Sequence, residues 1–183
     1  MELMEALRTR RACREFTAEP IDRPAIEELI GAAILAPSAM NLQPWAFAVV
    51  NGAARLHAMS AEAKRVALEH LPGSSPLRGH LTDAAFEIFH GAAALIVICA
   101  TNLDQQASED CCLAAQNLML AAHANGFGTC WIGLSRFWLS SSKVKAELGI
   151  SPDLHPVAPI ILGRPKGRTP ATPRKRPEIV WAD

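Results

Sequence analysis

The sequence has no tyrosine, no C-x-x-C pair, and no apolar run longer than the ten residues Gly91 to Ala100. A run that short falls well below the ~20 residues that span a bilayer, so no membrane partner is expected. The five cysteines (Cys13, Cys99, Cys111, Cys112, Cys130) are odd in number and include an adjacent pair. That pattern does not build a disulfide framework or a zinc site, and reads as reduced thiols in a cytoplasmic protein. The N-terminal stretch MELMEALRTRR has no apolar core before a small-residue cleavage site, so no secretory signal is expected. Also missing are G-x-S-x-G, His-Glu-x-x-His, the Walker A sequence and G-x-G-x-x-G, and the six histidines show no i, i+4 pair. Metal catalysis, serine hydrolysis and P-loop phosphoryl transfer therefore lose their usual carriers. Formal net charge is zero, which argues against a globally basic nucleic-acid binder. The basic tail has no interleaved aromatics on which bases could stack.

Half of the 183 residues are hydrophobic and a fifth are charged, the composition of a folded chain. The length suits one domain of roughly 100–200 residues, spanning 1–183 with 164–183 as an extended arm. Helical patterning covers Glu2 to Arg10. Ile26, Leu29, Ile30, Ala33 and Ile34 make one apolar stripe, with Asp22 as N-cap, Pro24 in the first turn and Pro37 as the stop. Trp45 to Val50 reads as a strand closed by Asn51-Gly52. Residues 53–70 read as helix, 72–79 as loop and 82–89 as a short helix. Ala93 to Ala100 is the best buried strand. Ser108 is expected to cap a long helix reaching Asn125, with Leu113, Gln116, Asn117, Leu120 and Ala121 on one mostly apolar face and Gly126 at its end. A strand over Thr129 to Gly133, a short helix ending near Gly149 and a strand over Val157 to Leu162 complete the order. Helices interleaved with short strands place the chain in the α/β or α+β class. The tail ends in apolar Ile179-Val180-Trp181, which suggests packing on a second subunit.

Four segments could carry chemistry. Arg10-Arg11-Ala12-Cys13-Arg14-Glu15-Phe16, with Arg8 just before it, puts four arginines within seven residues. Such forks suit phosphate or carboxylate, although a solvated basic helix end would look the same. Ala36 to Trp45 (APSAMNLQPW) holds two prolines, a hydroxyl and two amides. It can present fixed hydrogen-bonding groups to a heterocycle or polyol, or be an ordinary Asx-turn loop. Asn125 to Gly133 (NGFGTCWIG) brings backbone close through its glycines, or is a helix end leading into a core strand. Arg164, Lys166, Arg168, Arg174, Lys175 and Arg176 carry six positive charges with no acid among residues 164–176. They form a solubilising tail or a counter-charge for phosphate.

Taken in order, these segments resemble the FMN-dependent nitroreductase family. The matches are the arginine box Arg10 to Phe16, the A-P-S-x-x-N-x-Q-P-W run Ala36 to Trp45, Asp110 and Asn117 ahead of Gly126 to Gly133, and Gly163-Arg164-Pro165 with Arg174-Lys175-Arg176. The resemblance implies a three-layer α+β sandwich with a central, mainly antiparallel sheet, and a homodimer exchanging C-terminal tails. It implies bound FMN, NAD(P)H as reductant, and ping-pong hydride transfer to a small acceptor such as a nitroaromatic or quinone. A dehalogenase-like or flavin-consuming relative and a non-catalytic flavin-binding protein are the alternatives. Arg10, with Arg11 beside it and Arg174, Lys175 and Arg176, would hold the phosphate. Arg14 would lie near the N1/O2 ring edge as an electrostatic stabiliser, and the flavin N5 would carry the chemistry, so no catalytic side chain is expected. Pro37, Ser38, Ala39 and Asn41 would approach from the other subunit, with Gln43 close by, and Trp131, Ile132 and Gly133 would offer backbone near N5 and O4. Ala12 stands where the family usually has Ser or Thr, so a hydroxyl contact is lost. Residues 80–89 lack the Asn-x-x-Lys pair of larger members, and residues 70–82, with His70 and His80, are expected at the rim of an open pocket.

The zero net charge hides segregation. Residues 8–14 carry four basic groups and residues 164–176 six, without an acid in either stretch, while residues 15–163 hold 8 basic and 14 acidic groups. The two basic ends would meet at one phosphate if the resemblance holds.

Overall fold

The computed structural model describes residues 1–182. Its centre is a four-stranded sheet in the order β1-β2-β4-β3, with every pairing antiparallel. The strands are β1 (Trp45–Asn51), β2 (Ala94–Ala100), β3 (Gly128–Trp131) and β4 (His155–Gly163). All seven residues of β2 are buried, because helices cover both sheet faces. A strand covered on both sides reads as an unbroken apolar run rather than an alternating one.

The two-residue side-chain period splits that run between two cores. Leu95, Val97 and Cys99 pack with Leu56, Met59 and Ala63 of α3 (Ala53–His70) and with Trp138 and Leu139 of α6 (Arg136–Leu139). Ala94, Ile96 and Ile98 pack with Ile26, Leu29 and Ala33 of α2 (Arg23–Ala33) and with Cys111, Ala114 and Leu118 of α5 (Gln105–Ala124). The result is the expected α/β/α sandwich. Three short helices complete it: α1 (Leu3–Thr9), α4 (Arg78–Thr82) and α7 (Ser142–Leu148).

β4 lies between two strands yet contains Pro156 and Pro159. Proline cannot donate to a ladder, so inside a sheet it sits at edges or irregularities. Here the register with β2 shifts between Ile98 and Cys99, opposite Ala158 and Pro156. Pro159 still contributes its carbonyl, which accepts from the Ile132 N–H at 2.8 Å.

Asp22 caps α2 as expected, accepting from the Ala25 N–H at 3.2 Å. Other expectations shift. The long helix starts at Gln105 with Asp104 as its cap, accepting from the Gln106 N–H at 3.2 Å. Ser108 is therefore inside the helix, and its own N–H donates to the Asp104 carbonyl. The buried face of α5 is Ala107, Cys111, Ala114, Ala115, Leu118, Met119 and Ala122, whereas Leu113 is 46% exposed. Leu113 and Gln116 face outward, while Asn117, Leu120 and Ala121 are half-buried, the Asn117 amide donating to the Ala32 carbonyl at 3.4 Å and Ala121 packing against the core on the α2 side. Small residues on both sides of this helix obscured which stripe is inside. The short helix expected over 82–89 is α4, ending at Thr82 and followed by turns, and α6 was not anticipated. From Arg168 to Ala182 the tail contains no helix or strand.

Two glycines let the arginine segment lie against the sheet. A Cβ on Gly163 would come within 2.5 Å of the Phe16 ring, and one on Gly128 within 2.8 Å of Cys13. Gly163→Ala is expected to lower stability by about 1–3 kcal/mol through overpacking. Gly167→Ala, where nothing lies within 4 Å, should change it little. Urea unfolding of the two variants tests the pair.

Candidate cofactor and substrate site

The arginine segment follows the C-terminus of α1 and runs beside β3. Ala12 bridges Thr129 in parallel fashion, and the Cys13 N–H donates to the Thr129 carbonyl at 2.8 Å. Further on, Phe16 bridges Pro165, the Thr17 N–H donates to the Arg164 carbonyl at 2.9 Å, and the Lys166 N–H donates to the Glu15 carbonyl at 3.0 Å. The segment thus covers the outer edge of the sheet and ties the start of the tail to it.

Its arginines serve two cavities. Arg10 and Arg11 line the first, of about 640 Å³, together with Thr9, His123, Thr129 and tail residues from Pro165 to Ala171. Burial, with Arg11 and then Arg174 close by, pulls the Arg10 guanidinium below its ordinary value. The N-terminal and C-terminal basic stretches therefore come together here. Two buried polar atoms have no partner, Arg11 Nε and Thr129 Oγ1, and Thr129 is only 2% exposed. Orphaned buried donors of this kind call for a bound polar group. At the rim, the Thr9 hydroxyl donates to the Glu5 carbonyl and meets His123 Nε2 at 2.7 Å. Burial, with Arg10 and Arg11, holds the His123 imidazole below its ordinary value.

Arg14 lines the second cavity, of about 440 Å³, whose walls include Trp131, Ile132, Gly133, His80, Phe86 and His90. Ile132 is already engaged: its N–H donates to Pro159, and its carbonyl accepts from the Ser135 N–H at 3.0 Å and hydroxyl at 2.8 Å. Ile132 and Gly133 leave the strand that was expected to include them, and Gly133 begins a 3-10 turn, Gly133–Ser135, at the cavity wall. Cys130 also lines this cavity, with its thiol pushed up by burial and partly held down by Arg14. Of the residues expected at the rim, His80 is there and His70 is not. His70 stacks instead on Phe137 at 4.3 Å.

The Pro37 to Gln43 loop lines neither cavity. It is nevertheless strongly shaped. Met40, Asn41 and Gln43 all have positive φ, of 49°, 54° and 49°. The Gln43 N–H donates to the Ser38 hydroxyl at 3.0 Å, and the Gln43 amide donates to the Asn41 side chain at 3.2 Å. Asp110, 2% exposed, accepts from the Ala39 N–H at 3.2 Å and from Gln106 at 3.2 Å. A single chain thus brings Arg10, Arg11, Arg14 and Trp131 to Gly133 together at the sheet edge, and Arg174 joins them. Ala12 is held in its bridge to Thr129 and lines neither cavity. Pro37, Ser38, Ala39, Asn41 and Gln43 lie elsewhere, and Lys175 and Arg176 are exposed.

The Nitroreductase family model matches residues 7–164. The chain belongs to the nitroreductase family. A nitrobenzene nitroreductase of Ectopseudomonas oleovorans is 30% identical over 195 residues, spanning 87% of this chain and 85% of that one. The crystal structure of a nitroreductase with bound FMN from Bacteroides fragilis shares the fold at TM-score 0.86 and 21% identity, covering 100% of both chains. That of the FMN-dependent nitroreductase NfnB from Mycobacterium smegmatis, in complex with NADPH, shares it at TM-score 0.70 and 23% identity, over 89% of this chain and 87% of that one.

In this nitroreductase, the second cavity has a wall that the motifs did not announce. Phe86 and His90 follow α4, and His90 and Gly91 both have positive φ, 54° and 66°. Gly91, just ahead of the best strand, was the only sequence mark of that turn. Asp110→Ala is expected to leave the Ala39 N–H unpaired and destabilise the loop by about 1–3 kcal/mol. Faster amide exchange at Ala39, with β2 amides unchanged, would be the signature.

Proposed function

We propose that this nitroreductase-family protein is an NAD(P)H-dependent FMN oxidoreductase that delivers hydride to small nitroaromatic or quinone acceptors by a ping-pong mechanism. The observation that carries the reading is the split of one arginine segment between two cavities, Arg10 and Arg11 in one and Arg14 in the other. FMN has the matching shape, a dianionic phosphate joined through a polyol to a planar ring.

The donor set fits each part. Arg10 and Arg11, with Arg174 beside Arg10 and the unpartnered Thr129 hydroxyl, suit the phosphate. Arg14 beside Trp131, Ile132 and Leu134 suits an apolar ring with one polar edge. Bound there, FMN supplies the hydride chemistry. The chain's share is electrostatic and steric. The Arg14 guanidinium offsets the negative charge that reduction brings into the cavity. The apolar wall excludes water from the reacting face. A cavity of about 440 Å³ leaves room for one substrate at a time over a ring, which favours alternate binding of reductant and acceptor.

The same reading assigns the Pro37 to Gln43 loop to the partner of a homodimer. The loop is rigidly built, lines neither of these two cavities, and stands among exposed apolar side chains: Leu35 is 80% exposed, Met40 87% and Leu42 65%. Val180 and Trp181 of the tail, 86% and 79% exposed, supply further apolar surface for a second copy.

Purified protein is expected to be yellow and to bleach on titration with NADH or NADPH. Arg10→Ala should weaken FMN binding about tenfold to a hundredfold, the loss of one charge-assisted contact, measured by flavin fluorescence. A colourless protein that takes up no added FMN would refute the proposal.

A further inference from the structure

The wall of the second cavity formed by His80, Phe86 and His90 is unaccounted for by the cofactor. Phe86 stands between the two imidazoles, 5.4 Å from His90 edge-on and 6.2 Å from His80. With Arg14, the two histidines give the cavity three basic side chains, and no Asp, Glu or Lys is among its lining residues. The acids nearby are turned elsewhere. The Glu87 carboxylate pairs with His57 on α3, and Asp83 accepts from the Ala85 N–H at 2.9 Å.

The wall is also fixed in place. Lys64 of α3 donates to the Asp83 and Phe86 carbonyls at 2.8 and 2.6 Å, and its ammonium stands 5.9 Å from the Phe86 ring centre. The Ile88 N–H donates to the buried Ser60 hydroxyl at 3.0 Å. His90 is held in a left-handed conformation that is uncommon outside glycine, although histidine adopts it more readily than most side chains. Strain of this kind persists where the surroundings over-determine it, and it clusters at ligand sites.

We propose that His80, Phe86 and His90 make this cavity an acceptor subsite selective for planar aromatic compounds that carry a carboxylate. The ring would lie against Phe86, and the carboxylate would meet the His90 imidazole. The inference rests on the oxidoreductase reading only for the word acceptor; the binding preference belongs to the chain itself. The groups facing His90 are Arg14 across the cavity and Glu87 behind it, with His80 and Lys64 on either side of Phe86. Burial and then Arg14 hold the His90 imidazole below its ordinary value, against Glu87. It therefore takes up a proton less readily than a free imidazole, and does so only as pH falls. A bound carboxylate favours that charged form, so its affinity should rise in the same direction.

The test uses two unreactive ligands of equal size, benzoate and benzamide, bound to the FMN-loaded oxidised protein and followed by flavin absorbance from about pH 8 to about pH 5.5. The benzoate Kd is expected to tighten about tenfold over that range, the worth of one charge-assisted hydrogen bond, while the benzamide Kd stays level. His90→Asn keeps a residue that tolerates the left-handed turn and removes the charge, so it should abolish the gain for benzoate without loss of FMN. An equal pH response for both ligands, or an unchanged benzoate response in His90→Asn, would overturn the proposal. Tryptophan fluorescence follows the same titrations without flavin. A colourless protein that still shows the benzoate response would sink the FMN reading and leave the subsite standing.

Discussion

Everything that positions the site depends on one contact, the docking of Phe16 onto the bare backbone of Gly163 and Gly128. The ring can lie there because neither glycine has a Cβ to meet it. Once it does, a short set of backbone hydrogen bonds completes the attachment, from Cys13 to Thr129, from Thr17 to Arg164 and from Lys166 to Glu15. The exposed edge of β3 is covered, which removes an open edge from the sheet. The same contact anchors the beginning of the tail. Both cavities share this segment as a wall, so a loosened Phe16 would unsettle the phosphate-type cluster and the Arg14 cavity together.

The sheet gives that edge its rigidity. β2 is buried on both faces, and β4 is locked between β2 and β3 despite two prolines. Interiors packed in this way respond to shape changes as a unit. The first cavity therefore lies at the border between a rigid frame and the extended tail, and the second between that frame and residues 77–90. The opposite wall of the second cavity is stiffened differently, by Ser60 and Lys64 reaching from α3 to backbone groups of residues 83–88. A segment with almost no regular structure is thus pinned by side chains instead of by a ladder.

Patterning made the frame legible. The unbroken apolar run of β2, the stripe and Asp22 cap of α2, and the Gly149 end of α7 all follow local rules, and the folded chain obeys them. The long helix shows where such rules stop. Ser108 and Asp104 are both good caps, and alanines surround the helix, so neither the start nor the inner face could be fixed by periodicity. The arginine segment and the 36–45 loop were legible as motifs. Their separation within one chain came only with the family resemblance, because it depends on which sheet edge each one reaches. His90 carried no signal at all, since an isolated histidine before a glycine has meaning only once Phe86 and Arg14 face it.

Electrostatics ties the two ends of the chain to the same place. The acids of the middle region are spent on local, exposed pairs such as Glu27 with Arg23, Glu69 with Arg65 and Glu62 with Lys143. Pairs of that kind add little stability, but they neutralise the surface around the sheet. Glu19 on Arg164 is the one acid that reaches the start of the tail. The cluster at the first cavity, where Arg10 is crowded by Arg11 and Arg174 and partly buried, makes no salt bridge among the described residues, and Glu5 is the acid that lines the same cavity. Like charges held together in a shielded place oppose folding, and one carboxylate offsets only part of their repulsion. An anion bound there removes that opposition, so its binding free energy includes the relief of a strain already present. The folded state is thereby linked to occupancy: the more anion is bound, the smaller the repulsion that the Phe16 anchor has to hold closed.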